Sequence, residues 1–134
     1  MEDIFVGRLM TTDLYTVSPD TLVEDAARSM LDREIGSVLV VDEENELKGI
    51  LTTTDFVEIV AKSQPKAKTA VSTYMSTDVV TATAQDSIRD VADAMIEHGF
   101  HHVPVLDDAE GVIGIISSTD LASYLSHVQT PSPS

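Results

Sequence analysis

Two runs carry residues whose types and spacing could do chemistry: Gly-Ile-Leu-Thr-Thr-Thr-Asp at 49–55 and Gly-Ile-Ile-Ser-Ser-Thr-Asp at 114–120. In each, a strand-like apolar piece ends in three hydroxyl residues and an acid, where a helix would open. Backbone N–H groups and hydroxyls gathered at a helix N-terminus suit phosphate oxygens. A carboxylate accepts two hydrogen bonds and so suits the vicinal hydroxyls of a ribose, as the acid of dinucleotide sites does. The same residues have a plainer use. Thr52 with Asp55, and Ser117 with Asp120, stand at capping-box spacing, which would engage the acids in holding their own helices. The two uses are compatible.

The runs are 65 residues apart because the whole chain is doubled. Residues 6–60 align with 71–125 without a gap, and 15 of the 55 pairs are identical, among them Met10/Met75, Thr16/Thr81, Met30/Met95 and Asp55/Asp120. A period this long, present twice, predicts two copies of one small α/β unit, each too small to bury a full core alone. Each copy reads β-α-β-β-α. A short β-prone piece (14–17, 79–82) precedes a helix predicted to open at Thr21, with a Thr21/Glu24 capping box, and at Asp86. Val23, Ala26, Ala27, Met30 and Leu31 recur at helical spacing, as do Ile88, Val91, Ala92, Met95 and Ile96. The methionines read as core filler. Gly36 follows the first helix and Gly99 closes the second. Paired strands are predicted at 38–42 with 47–51 and at 103–107 with 112–116, their apolar runs suited to burial on both faces. The last helices are predicted over 56–62 and 121–127.

The expected division is repeat 1 over 1–65, with a linker at about 61–70, repeat 2 over 66–128 and a disordered tail over 129–134. The linker holds Lys62, Lys66 and Lys68, which are either simply solvated or available to an acidic neighbour or a phosphate. Of 134 residues 23 are acidic and eight are Lys or Arg, a formal net charge of −15. Such self-repulsion destabilises a compact state in dilute buffer and is screened at high salt. It fits a salt-loving source, or else an ordinary acidic surface, and it disfavours nucleic-acid binding, which needs a basic footprint. A hydrophobic share of 43% fits a soluble protein with a real core. No membrane span is expected, and the acidic start reads as cytoplasmic. With no cysteine, thiolate chemistry is excluded. No spacing nominates a nucleophile, a phosphate-binding lysine loop or a zinc motif, so no catalysis is expected. His98, His101 and His102 lack a fourth metal ligand at a suitable spacing.

The doubled pattern of Met-Thr/Ser, Thr16/Thr81, helix, Val-x-Val-x-Asp and Gly-Ile-x-Thr/Ser-x-Thr-Asp resembles a tandem pair of CBS (cystathionine β-synthase) domains, a Bateman module, over about residues 6–127. The resemblance implies two units packed sheet to sheet with pseudo-two-fold symmetry and adenosine-containing ligands such as AMP, ADP or ATP in clefts between them. It implies a homodimeric disc, no obligatory cofactor and a regulated enzyme or transporter as partner. It also assigns residues. Asp55 and Asp120 match the ribose-binding acid; Thr52, Thr54, Ser117 and Thr119 match hydroxyls reaching ribose or phosphate; Thr16 and Thr81 match the threonine beside base and phosphate. Gly36, Ser37 and Val38 in one copy, and His101, His102, Val103 and Pro104 in the other, match the adenine wall and phosphate contacts. Relatives often carry basic residues where the histidines stand, whereas Gly36-Ser37 brings no charge. The implied sites are therefore unequal, the histidine pair favouring phosphorylated ligand in proportion to its protonation. The alternatives are a ligand-free structural adaptor and a detached piece of an enzyme such as inosine monophosphate dehydrogenase.

Overall fold

The computed structural model describes residues 4–62 and 69–129. Of the tail expected over 129–134, Gln129 belongs to the last helix and 130–134 lie outside the described residues, as do Lys66 and Lys68 of the linker. The described chain is mixed α/β: α1 (Val6–Leu9), β1 (Thr16–Val17), α2 (Val23–Arg33), β2 (Ser37–Val41), β3 (Leu47–Thr52), α3 (Thr53–Lys62), a 3-10 turn (Val71–Thr73), α4 (Ile88–His98), β4 (His102–Asp107), β5 (Gly111–Ser117) and α5 (Ser118–Gln129).

The compact units are not divided at 65/66. One comprises Tyr15–Val79, the other Met1–Leu14 together with Val80–Ser134. Each repeat is therefore completed by the segment that leads into the other. Val71 is fully buried in the first core, with Val17, Val23, Ala26, Met30, Val38, Val40 and Leu51. Val6 is fully buried in the second, with Ala82, Val91, Met95, Val103, Val105 and Ile116.

In the unit of Tyr15–Val79 the sheet order is β1-β2-β3, with β1 parallel and β3 antiparallel to β2. In the other unit β4 and β5 pair antiparallel, and the piece expected at 79–82 contributes a single parallel bridge, Ala82 to Val105. β2, β3 and β4 carry the continuous buried runs that the sequence led us to expect, whereas β5 alternates, burying Val112, Gly114 and Ile116. The acidic turns close on an aspartate in each unit. Asp42 Oδ1 accepts from the amides of Glu44 (2.9 Å) and Glu46 (3.0 Å), and Asp107 Oδ2 from those of Ala109 (2.9 Å) and Glu110 (3.0 Å).

The long helices are capped one residue later than predicted, at Leu22 and Ser87 instead of Thr21 and Asp86, and the lead-in segments explain why. Val71 N donates to Thr21 O and Val23 N to Thr69 O, both at 2.8 Å, so residues 21–23 are held by the arriving chain instead of opening a helix. Leu22 precedes α2 without a side-chain cap. In the other unit Val6 N donates to Asp86 O (2.8 Å) and Ile88 N to Ile4 O (2.9 Å). Asp86 turns its carboxylate to Thr83 N (2.9 Å), and Ser87 takes the cap position, accepting from Arg89 N at 3.1 Å. Gly99 ends α4 at φ 73°, where glycine is unstrained, and Glu34 takes the same left-handed position after α2. Met30 and Met95 are buried as expected, but Leu31 and Ile96 are about four-fifths exposed. No described helix is long and apolar enough to cross a membrane.

Candidate functional site

Each unit gathers its own set of the expected residues at one end of its sheet. In the unit of Tyr15–Val79, β1 begins at Thr16, β2 at Ser37 and β3 ends at Thr52, with Ser37 opposite Thr52 and Thr16 opposite Leu39. Asp55 Oδ2 accepts from Thr52 N (2.8 Å) and from the Thr52 hydroxyl (3.2 Å), and Asp55 N donates back to Thr52 Oγ1 (3.4 Å). This is the reciprocal cap that the spacing allowed. Thr53, passed over in the sequence, fixes the turn against the entry of β2: its N–H and hydroxyl both meet Gly36 O, at 3.0 and 3.3 Å.

The other unit repeats the arrangement. Ser117 N donates to Asp120 Oδ2 (2.8 Å), Asp120 N donates to Ser117 Oγ (3.1 Å), and Ser118 N donates to His101 O (2.9 Å). His102 lies opposite Ser117 on β4. Ser118 Oγ stands 3.5 Å from His101 Nδ1, at the limit of a hydrogen bond. Thr81 precedes Ala82, whose N–H donates to Pro104 O at 3.0 Å. Thr53 and Ser118 are equivalent positions, and their shared role could have been suspected from the doubled hydroxyl run.

Two consequences follow for ligand chemistry. Every cap bond to the Asp55 and Asp120 carboxylates uses Oδ2, so the helix engages one oxygen of each, and among the described residues Oδ1 keeps its lone pairs for another donor. Thr54 and Thr119 are exposed beside them. By contrast Val38, Val103 and Pro104 are buried to 1% exposure or less, or nearly so, with both valines in the cores. Their side chains serve packing first.

His102 is less cationic than the sequence allowed. Burial pushes the His102 imidazole below its ordinary value, the neighbouring His101 adds to that, and Asp120 opposes it. Without a ligand His102 is thus a neutral ring near pH 7, able to donate one hydrogen bond but bringing no charge. Among the described residues no group of three or more His, Cys, Asp or Glu is placed to hold a metal.

Comparison with known proteins gives these arrangements a context. The family model described as "CBS domain" matches twice, over residues 6–62 and 71–127. An uncharacterized 17.7 kDa protein of Acidianus ambivalens is 34% identical over 93% of this chain and 75% of its own length. The CBS domain-containing protein YhcV of Bacillus subtilis is 34% identical over 84% of this chain and 79% of its own. The inosine-5'-monophosphate dehydrogenase of Nitrosopumilus maritimus is 30% identical over 87% of this chain, which spans only 23% of that enzyme. Among solved structures, the CBS domain pair of protein MJ0100, in complex with 5'-methylthioadenosine and S-adenosyl-L-methionine, superposes with a TM-score of 0.86 at 25% identity, over 96% of this chain and 100% of that one.

Proposed function

The chain belongs to the CBS domain family as a pair of repeats, and from that premise we propose that it is a regulatory module that binds an adenosine-containing ligand at the Asp55 and Asp120 turns. AMP, ADP and ATP are the ligands the proposal favours, and 5'-methylthioadenosine and S-adenosyl-L-methionine belong in the same test because a similar pair holds them. The observation that carries the reading is the divided use of each aspartate: Oδ2 holds the helix and Oδ1 is left for a ribose hydroxyl. The flanking hydroxyls and amides of Thr52, Thr54, Ser117 and Thr119 supply the remaining polar contacts. Ligand acts by its differential affinity for two states of the module. Its target is a partner enzyme or transporter, the former supported by the presence of this region within a longer dehydrogenase. The chain itself does no chemistry in this reading, works as a homodimer and resides in the cytoplasm.

A second reading, a ligand-free structural adaptor, has one observation in its favour: both aspartates already have structural employment as caps. Asparagine separates the two. Asp55→Asn and Asp120→Asn keep one oxygen for the Thr52 or Ser117 amide but turn the other acceptor into an N–H donor. Calorimetric titration with each of these five ligands should give a dissociation constant below about 1 mM for the native chain with at least one of them, with each Asn variant losing about tenfold or more at its own turn. Melting temperatures of the unliganded variants should stay close to native. If nothing binds the native chain, the adaptor reading stands.

A further inference from the structure

The lead-in segments tie the two candidate turns to each other. Ser76 and Ile50 exchange both backbone hydrogen bonds, at 3.0 and 2.9 Å, clipping the lead-in to the free edge of β3. Thr11 and Ile115 do the same on β5, at 2.8 and 3.0 Å. Each clip sits on a strand glycine. A methyl group added at Gly49 would meet Met75 Sδ at 2.7 Å and Ser76 O at 2.8 Å; at Gly114 it would meet Met10 Sδ at 2.6 Å and Thr11 O at 3.1 Å. Two residues beyond each clip the strand ends in a candidate turn, at Thr52 or Ser117. Five residues beyond it the lead-in reaches Thr81 or Thr16, the threonine of the other unit's set. There the chain is pinned again, by Ala82 N to Pro104 O (3.0 Å) and Leu106 N to Ala82 O (2.8 Å), or by the pairing of Thr16 with Leu39.

We infer that these doubly pinned lead-ins couple the two turns, so that an event at the Asp55 turn changes the order of the Thr81–Ala82 segment, and one at the Asp120 turn changes that of Thr16–Val17. The inference rests on reading the turns as ligand sites, but the mechanical part stands apart from any ligand. Five residues reach at most about 18 Å when fully extended, so the tether is short and both of its ends are fixed by backbone bonds rather than by adaptable side chains. A shift of a strand end is then passed along the chain, and coupling of this kind must be reciprocal.

Amide hydrogen exchange by NMR tests it without a ligand. Gly49→Ala pushes on the Ser76 carbonyl in one unit. It should speed exchange of the Ala82 and Leu106 amides in the other unit about tenfold, while the Thr11 and Ile115 amides of that same unit keep native rates. Unchanged rates at Ala82 and Leu106, or an equal rise at all four, overturn the inference. Should Gly49→Ala not fold, Gly114→Ala, which is milder, must raise exchange in peptides covering 14–17 and 37–41. In a second arm, 5'-methylthioadenosine is added to Asp120→Asn, which retains only the Asp55 turn, and protection must appear at Ala82 and Leu106. Absence of binding to the native chain would sink the ligand reading, while the Gly49→Ala result would still decide the coupling.

Discussion

His102 shows how one residue's setting changes its chemistry. At the entry of β4 it is pushed down first by burial, then by His101, with Asp120 pulling the other way. Its folded pKa is below the ordinary 6.5, so between the two values the unfolded chain binds the extra proton. Stability from this residue is therefore complete above pH 6.5 and declines as pH falls through that value toward the folded pKa. Denaturant unfolding at pH 7.5 and 5.5 should show a larger fall in midpoint for the native chain than for His102→Gln, which has no ring proton to gain. Equal falls would mean the ring is not held neutral. A phosphorylated ligand would act in the opposite sense, since a nearby anion favours the imidazolium. Asp42, in a turn, is by contrast lowered chiefly by the Glu46 amide, with the Glu44 amide and the Lys48 ammonium assisting.

At the level of elements, the two strand glycines separate what is tight from what is adjustable. The atoms a methyl group would strike at Gly114 are mostly the flexible end of Met10, with Thr11 O at 3.1 Å; at Gly49 the Ser76 carbonyl is already at 2.8 Å. Gly49→Ala should cost about 1–3 kcal/mol, the usual range for forcing a packed interior apart. Gly114→Ala should cost measurably less in the same denaturant titration, and the reverse order would contradict the packing. Both glycines were visible in the sequence as part of the doubled run, but their reason was not. The 65-residue period made the order of elements, the hairpins and the Thr52/Asp55 and Ser117/Asp120 caps legible, because all of these depend on neighbours close in sequence, whereas the Thr21/Glu24 box expected for α2 is not the cap that forms. The late helix starts at Val23 and Ile88 and the burial of Val6 and Val71 depend on segments distant in sequence, as the bonds of Val71 to Thr21 and of Val6 to Asp86 show. Local patterning carries no signal for that. The exposure of Leu31 and Ile96 was missed for a similar reason: helical spacing gives a stripe, not its edge. Of the candidate site, the aspartates and hydroxyls were legible by type, and the neutral state of His102 was not, since burial decides it.

On the scale of the whole molecule, charge and connectivity pull in different directions. A formal −15 over 134 residues is repulsion without a matching supply of cations, and the Lys48–Asp42 pair at 3.4 Å joins an exposed lysine to a half-exposed aspartate at the surface, the kind of contact that contributes little. The melting temperature should therefore rise with KCl. The rise should be steepest at low concentration, because the Debye length falls from about 10 Å at 0.1 M to about 3 Å at 1 M. A melting temperature independent of salt would refute the halophilic reading. Connectivity supplies the opposing cohesion. Residues 4–14 complete the unit built on 80–129, and 69–79 complete the unit built on 15–62. A chain cleaved once within 63–68 therefore yields two pieces that each hold a segment of the other's core. Val6 N to Asp86 O and Gly7 N to Ala84 O join the pieces in one unit, and Val71 N to Thr21 O and Ser72 N to Pro19 O join them in the other. Introducing a protease site there and cutting it should leave a complex that runs as one species in size-exclusion chromatography and keeps its near-native melting temperature. The isolated 1–65 piece, lacking Val71 and Met75, should not give a dispersed NMR spectrum. Pieces that separate on cutting, each still folded, would show that the exchanged segments are ornaments of two self-sufficient repeats rather than parts of their cores.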